Sequence, residues 1–259
     1  MYIEKTQMSE SVALFVPCYI NDFYPAAAQA TLEILEDLGM RVHYPRAQRC
    51  CGQPFINNGL IDEARSFAEH FEATFEEFDY VVAPSSSCVS TVRHRYGELI
   101  GQERASETGR RVYELCEFLH DVVGLERLRF PKAWRGRVGL HNSCHALREL
   151  DLALPSERVL PHFSKIRAVL TRVEGLELVE TQRDECCGFG GTYSVTEPEL
   201  SARMGRDRIA EHLANGVDLI TGVDRSCLMH MEALARRDGT PVRFVHVAEL
   251  LAGRVEERQ

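Results

Sequence analysis

The sequence predicts an α/β protein of two tandem duplicated domains, each a small, mostly parallel sheet flanked by helices, with cysteines at the carboxyl ends of strands. Three observations carry this. Short β-like runs alternate with longer segments of helical periodicity in both halves, the rhythm of a parallel sheet covered by helices. Apolar runs end repeatedly in cysteine. And the cysteine pattern is written twice: Cys18 is followed after 31 residues by Cys50-Cys51-Gly52 and after 36 more by Cys88, while Cys144 is followed after 41 residues by Cys186-Cys187-Gly188 and after 39 more by Cys227. A period of roughly 130 residues means duplicated domains rather than a solenoid.

Taken in order, residues 13–18 read as a strand ending on Cys18. Pro25 suits the first turn of a helix running to about Leu38, with Gly39 as its C-cap. Residues 41–44 form a second strand, leading through a polar turn to Cys50. Residues 62–78 are helical, with Ala64, Phe67, Ala68, Phe71 and Phe75 on one side. Residues 79–83 are the third strand, and a helix starts after the serines that precede Cys88. The second half repeats this with strands at 138–141, 176–180, 219–222 and 242–246, and helices at about 157–173, 197–214 and 227–237. Each half closes on a similar segment, 112–119 and 244–251. Domain one is therefore 1–126 and domain two 137–259. Residues 127–136, with Pro131, Lys132, Trp134 and Arg135, form the linker.

Composition removes several function classes. The formal charge of −9 opposes a phosphate-binding surface, so no nucleic acid is expected. No stretch reaches the roughly 18 apolar residues that span a bilayer, and the polar start MYIEKTQMSE lacks the apolar core of a secretory signal. A cytoplasmic protein with no membrane span is expected. Neither Gly-x-Gly-x-x-Gly after a strand, nor a Walker-type loop, nor a Gly-x-Ser-x-Gly elbow is present, so no nucleotide site or serine nucleophile is indicated.

Nine cysteines in a reducing compartment point to metal or redox chemistry rather than a disulfide framework. Cys116 falls opposite Ala248 in the duplicate and reads as a packed core residue. The other eight repeat in register. Adjacent Cα atoms lie about 3.8 Å apart whereas disulfides usually need roughly 4.4–6.8 Å, so the vicinal pairs make poor disulfides. Ligands of open α/β sheets collect beyond the carboxyl ends of strands, where Cys18, Cys50, Cys51 and Cys88 would converge, as would Cys144, Cys186, Cys187 and Cys227. Four thiolates suit iron–sulfur or zinc; ligands spread so widely are poor zinc-knuckle spacing. A thiol–disulfide enzyme or redox sensor using the vicinal pairs, and a zinc-binding module, remain the alternatives.

The doubled spacing Cys-x₃₁-Cys-Cys-Gly-x₃₅-Cys resembles the cysteine-rich CCG domain family, which includes a cysteine-rich component of heterodisulfide reductase and the iron–sulfur subunits of glycolate oxidase and anaerobic glycerol-3-phosphate dehydrogenase. The likeness is closest to the lactate-utilization protein A (LutA/YkgE) group, through Cys50-Cys-Gly-Gln-Pro54, Ser85-Ser-Ser-Cys88, Ser143-Cys-His145, Cys186-Cys-Gly-Phe-Gly-Gly-Thr192 and Ser226-Cys-Leu-Met-His230. The resemblance implies an iron–sulfur electron-transfer subunit of a system oxidising L-lactate to pyruvate. It also implies two other lactate-utilization subunits as partners, at least one of them an iron–sulfur protein. This chain would then move electrons and not turn over lactate alone. One [4Fe–4S] cluster per domain, held by the eight repeated cysteines, is the expected cofactor. Where the heterodisulfide reductase pattern ends in Cys-x-x-Cys, this sequence has Thr91 and His230, which speaks against the five-cysteine noncubane cluster and disulfide reduction. Four cysteines per half suffice for a cubane. His230 is then either an added ligand or a helix-start residue bonded to a carbonyl or water, and His145 either a donor to a cluster sulfur or a helix-start residue of the same kind. The glycine-rich loop of the second copy leads to the expectation that its cluster is the more firmly held.

Overall fold

A computed structural model of the chain describes residues 10–130, 132–158, 161, 163–179 and 181–256. The polar start of the chain (residues 1–9), Pro131 of the linker, Val159, Leu160 and His162 of the expected helix 157–173, and Glu180 of the expected strand 176–180 lie outside the described residues.

Among the described residues, eight strands form two four-stranded sheets. β1 (Val12–Leu14), β2 (Val42–His43), β3 (Tyr80–Ala83) and β4 (Val112–Glu114) lie in the order β2-β1-β3-β4. β5 (Gly136–Leu140), β6 (Leu176–Val179), β7 (Leu219–Gly222) and β8 (Arg243–His246) repeat it as β6-β5-β7-β8. Every pairing within these sheets is parallel. The strands are short, and the central β1, β3 and β7 are almost wholly buried, as expected where helices cover both faces. In this order the chain reverses direction across the sheet between β1 and β3, and between β5 and β7. Those are the switch points at which open sheets leave a crevice.

Several elements differ in extent from the sequence reading. The expected strand 13–18 stops at Leu14, and Cys18 opens a helix, Cys18–Phe23, behind Pro17. The same holds at each corresponding position: Cys144 opens Cys144–Arg148, and Cys88 and Cys227 lie in the first turns of Ser86–Ile100 and Arg225–Arg237. The four cysteines thus sit at helix starts just past the strand ends, not in the strands. The helix expected at 62–78 is Ile61–Phe75. The one expected at 157–173 reduces to a 3₁₀ turn at Ser156–Arg158 and a helix Lys165–Leu170, whose N-cap Ser164 accepts from the Arg167 amide. Segment 112–119 divides into β4 and a helix, Leu115–Phe118, capped by Glu114 through a capping box with Glu117. The division is repeated by β8 and Val247–Leu251, with His246 as N-cap and Glu249 as the third helical residue of the capping box.

The two halves share one interior. A continuous apolar core runs from Val12 through Trp134 to Leu251. The closing helix of each half packs on a helix of the other, Val247–Leu251 on Pro25–Asp37 and Leu115–Phe118 on Lys165–Leu170. Arg254 pairs with Glu33, and Lys165 with Asp121, along these seams. Trp134, in the expected linker, is buried and its ring lies over Gly136. Ser85 and Asp224, three residues before Cys88 and Cys227, form an antiparallel bridge where the halves meet. Among the described residues no helix is long and apolar enough to cross a membrane.

Candidate metal centre

All nine cysteines are free thiols, and eight of them gather in two sets of four. In the first half the Cys18 and Cys50 sulfurs lie 3.7 Å apart, Cys50 contacts Cys51, and Cys51 contacts Cys88. The second half repeats the chain of contacts: Cys144 and Cys186 at 3.7 Å, then Cys187, then Cys227. One cavity of about 410 Å³ between the halves is lined by all eight. Cys116 is absent from it; fully buried in its short helix, it is a packing residue.

Local backbone explains the convergence. Gly52 and Gly188 follow the vicinal pairs at φ +82° and +86°, a left-handed turn that returns each amide to within 3.4 Å of the Cys50 or Cys186 sulfur. Tyr96, fully buried, donates from its hydroxyl to the Cys51 carbonyl at 3.0 Å and fixes the first loop from below. Cys88 and Cys227 lie in the first turns of helices of 15 and 13 residues.

The electrostatics show what a set of this kind needs. Hydrogen bonds from Cys18, Cys51 and the Gly52 amide hold Cys50 far below the ordinary thiol range, and Cys144, Cys187 and Gly188 do the same for Cys186. Their neighbours move the other way: Cys18 and Cys144 are pushed up by the same shared hydrogen bonds and by burial, and Cys51 and Cys187 likewise. Several anions side by side in so buried a site are prohibitive without compensating charge. Four thiolates coexist there only around positive charge, which fits a metal or metal–sulfide core.

Contacts between the halves wall the cavity. Tyr19 meets Phe189 edge-on at 5.9 Å, Asn58 donates to Thr192 at 2.8 Å, and the His145 and Gln53 side chains lie 3.2 Å apart. At the bridge, Asp224 accepts from the Ser87 amide at 2.9 Å and the Ser86 hydroxyl at 3.0 Å, and Ser86 reaches Ser143 at 2.7 Å. Two serines of one half and a serine and an aspartate of the other thus tie the two cysteine loops together. Thr91 bonds back to the Ser87 carbonyl. The His230 Nε2, in the second turn of Arg225–Arg237, lies 3.4 Å from the Ser201 hydroxyl and 3.3 Å from its carbonyl oxygen.

The sequence reading missed His141. It ends the β5 run, is 1% exposed, has neither ring nitrogen hydrogen-bonded, and presents a ring nitrogen in a group with the Cys187 and Cys227 sulfurs whose atoms all lie within 4.8 Å of one another. Burial holds its pKa down, to about 3, so the ring is neutral. The signal available was its place three residues before Cys144, where the first copy has Phe15 before Cys18.

The CCG Cysteine-rich domain matches residues 12–93 and again 138–232, one copy on each cysteine set. Lactate utilization protein A 1 of Bacillus mycoides (strain KBAB4) is 36% identical over 247 residues, covering 93% of this chain and 96% of that protein. The chain belongs to the lactate utilization protein A family. Its relative from Geobacillus sp. (strain WCH70) is 36% identical over 249 residues, covering 94% of this chain and 99% of the other. Among solved structures, a hypothetical protein from Helicobacter pylori superposes with a TM-score of 0.58 at 10% identity, over 98% of this chain and 50% of that one, a likeness of fold alone.

Proposed function

We propose that this member of the lactate utilization protein A family is an iron–sulfur subunit that carries electrons in the oxidation of L-lactate to pyruvate, working in the cytoplasm with two partner subunits of which at least one holds iron–sulfur itself. The observation that supports it most directly is the pair of four-thiol sets facing one cavity. Each set has the donors of one [4Fe–4S] cluster, and the clusters when bound supply one-electron transfer. The chain's own work is to hold and tune them. Cys18, Cys50, Cys51 and Cys88 bind one, and Cys144, Cys186, Cys187 and Cys227 the other. The Gly52 and Gly188 amides donate toward the sulfurs, and the Tyr19–Phe189 contact limits water. The charged residues lining the cavity are already engaged: Asp224 accepts from Ser86 and Ser87, and Arg225 pairs with Glu232 and stacks on Tyr24. Lactate chemistry is therefore assigned to a partner.

The test is anaerobic. The reconstituted chain alone should give a reducible S = 1/2 signal with dithionite and none with L-lactate, and adding the partner subunits should make L-lactate a reductant. Failure of lactate to reduce the complete mixture would refute the assignment. A second reading, in which the vicinal thiols themselves cycle, is favoured by the low-lying, half-buried Cys50 and Cys186. It requires iron-free protein that exchanges disulfides, and so does zinc binding without sulfide require iron-free protein; metal and sulfide analysis separates all three.

A further inference from the structure

Duplication copied the thiols but not the wall behind them. In the first half Phe15, three residues before Cys18, packs edge-on against Phe71 at 5.0 Å and Phe75 at 5.7 Å. The helix carrying them buries positions 64, 68, 71 and 75. Its counterpart Pro198–Ala214 buries 201, 205, 208 and 212 at the same spacing, where Arg208 and His212 replace the two phenylalanines and His141 replaces Phe15. Room for this polar wall is made by glycine: a Cβ at Gly139 would lie 2.5 Å from the His212 ring.

A buried imidazole with both nitrogens unpartnered is costly, and natural structures keep such a group where something absent from the protein chain completes it. Among the described residues, the sulfurs grouped with His141 are those of Cys187 and Cys227. Resting on the iron–sulfur reading above, we propose that His141 donates a ring N–H hydrogen bond to a Cys187 or Cys227 thiolate of the second centre and so gives that centre a higher reduction potential than the first. A donor to a ligand sulfur stabilises the reduced, more electron-rich cluster, and hydrogen bonds to sulfur are a recognised determinant of potential. Phe15 offers the first centre no such donor. Electrons would then settle on the second centre, giving the pair a direction.

The experiment is an EPR-monitored redox titration of the full, anaerobically reconstituted chain as wild type, His141→Phe and His141→Gln, with ¹⁵N-histidine labelling. Two resolved midpoint potentials are expected in the wild type. His141→Phe should keep both clusters while the higher potential falls toward the lower, and His141→Gln, which retains a donor, should restore most of the separation. A weak ¹⁵N coupling should accompany the second cluster and vanish in both variants. Potentials indifferent to residue 141 with both clusters present would overturn this inference alone. A strong coupling of a direct iron–nitrogen bond, or loss of half the iron in both variants, would overturn it in favour of His141 as a ligand. Absence of any cluster in the wild type would overturn the iron–sulfur reading with it.

Discussion

Replacing Gly188 by alanine should cripple the second centre, and the size of the effect follows from the backbone. Gly188 sits at φ +86°, and a Cβ built there would lie 2.4 Å from the Ser201 carbonyl oxygen and 2.9 Å from the Met204 Cβ. The left-handed conformation costs an L-residue about 1–2 kcal/mol, and forcing a methyl against helix backbone about 1–3 kcal/mol more. Together these give roughly 2–5 kcal/mol, or a fall in Tm of roughly 4–20 °C for a chain of this size. The amide that donates to Cys186 moves with the strain. Two controls grade the argument. At Gly52, φ +82°, the nearest obstacle is the Phe67 Cβ at 3.1 Å, so its alanine variant should suffer less. At Gly191, φ +60°, nothing lies within 4 Å, and only the conformational cost of about 1–2 kcal/mol applies. Thermal unfolding of the metal-free chains and iron content after anaerobic reconstitution should rank the losses Gly188→Ala, then Gly52→Ala, then Gly191→Ala. Equal losses for Gly188→Ala and Gly191→Ala would refute the claim that close backbone packing shapes the loop.

Three further outcomes are expected. Glu114 is fully buried, and burial raises its carboxyl from 4.5 to about 8. Between those values the folded chain keeps a proton the unfolded chain has lost, so stability falls as pH rises; Glu114→Gln should gain roughly 3–4 kcal/mol on the wild type between pH 5 and pH 8, and parallel denaturation curves at the two pH values would contradict this. His212 shifts the opposite way, burial taking it from 6.5 to about 2. The unfolded chain alone takes up that proton, so stability is lost as pH falls below 6.5 by about 1.4 kcal/mol per unit, and His212→Phe should remove that slope from the acid limb of the stability profile. Cys116→Ala should cost about 1–2 kcal/mol through a small cavity and leave iron content unchanged, whereas Cys88→Ser should remove iron from one centre; iron loss in Cys116→Ala would mean the thiol is not mere packing.

The sheet was legible because short apolar runs alternate with segments of helical periodicity, the pattern of a parallel sheet covered by helices, and β3, β7 and β8 lie close to where that pattern puts them. Departures from the pattern have local causes. Phe15 and Val16 extend the apolar run past Leu14; the Phe15 amide still bonds to the Val82 carbonyl, but the Val16 amide turns to the Gln48 side chain, so hydrophobicity alone overstates β1. The helix expected at 157–173 starts late because Ser164 is its cap, a signal obscured by the apolar residues before it. β4 is a three-residue strand, too short for periodicity to declare. The eight-cysteine grouping was legible from spacing. The cavity shared by both sets, the Ser143–Ser86–Asp224 tie and the orphaned His141 were not, because each depends on how the halves meet or on what a side chain lacks.

The central claim is two four-thiol centres, each built for a cluster. The most direct test is iron and acid-labile sulfide per chain after anaerobic reconstitution, on the wild type and on Cys51→Ser and Cys187→Ser. About eight of each in the wild type, falling to about four in either variant, is the result expected of two [4Fe–4S] clusters. Protein that takes up no iron with sulfide, or that keeps its full complement when either cysteine is replaced, would contradict it.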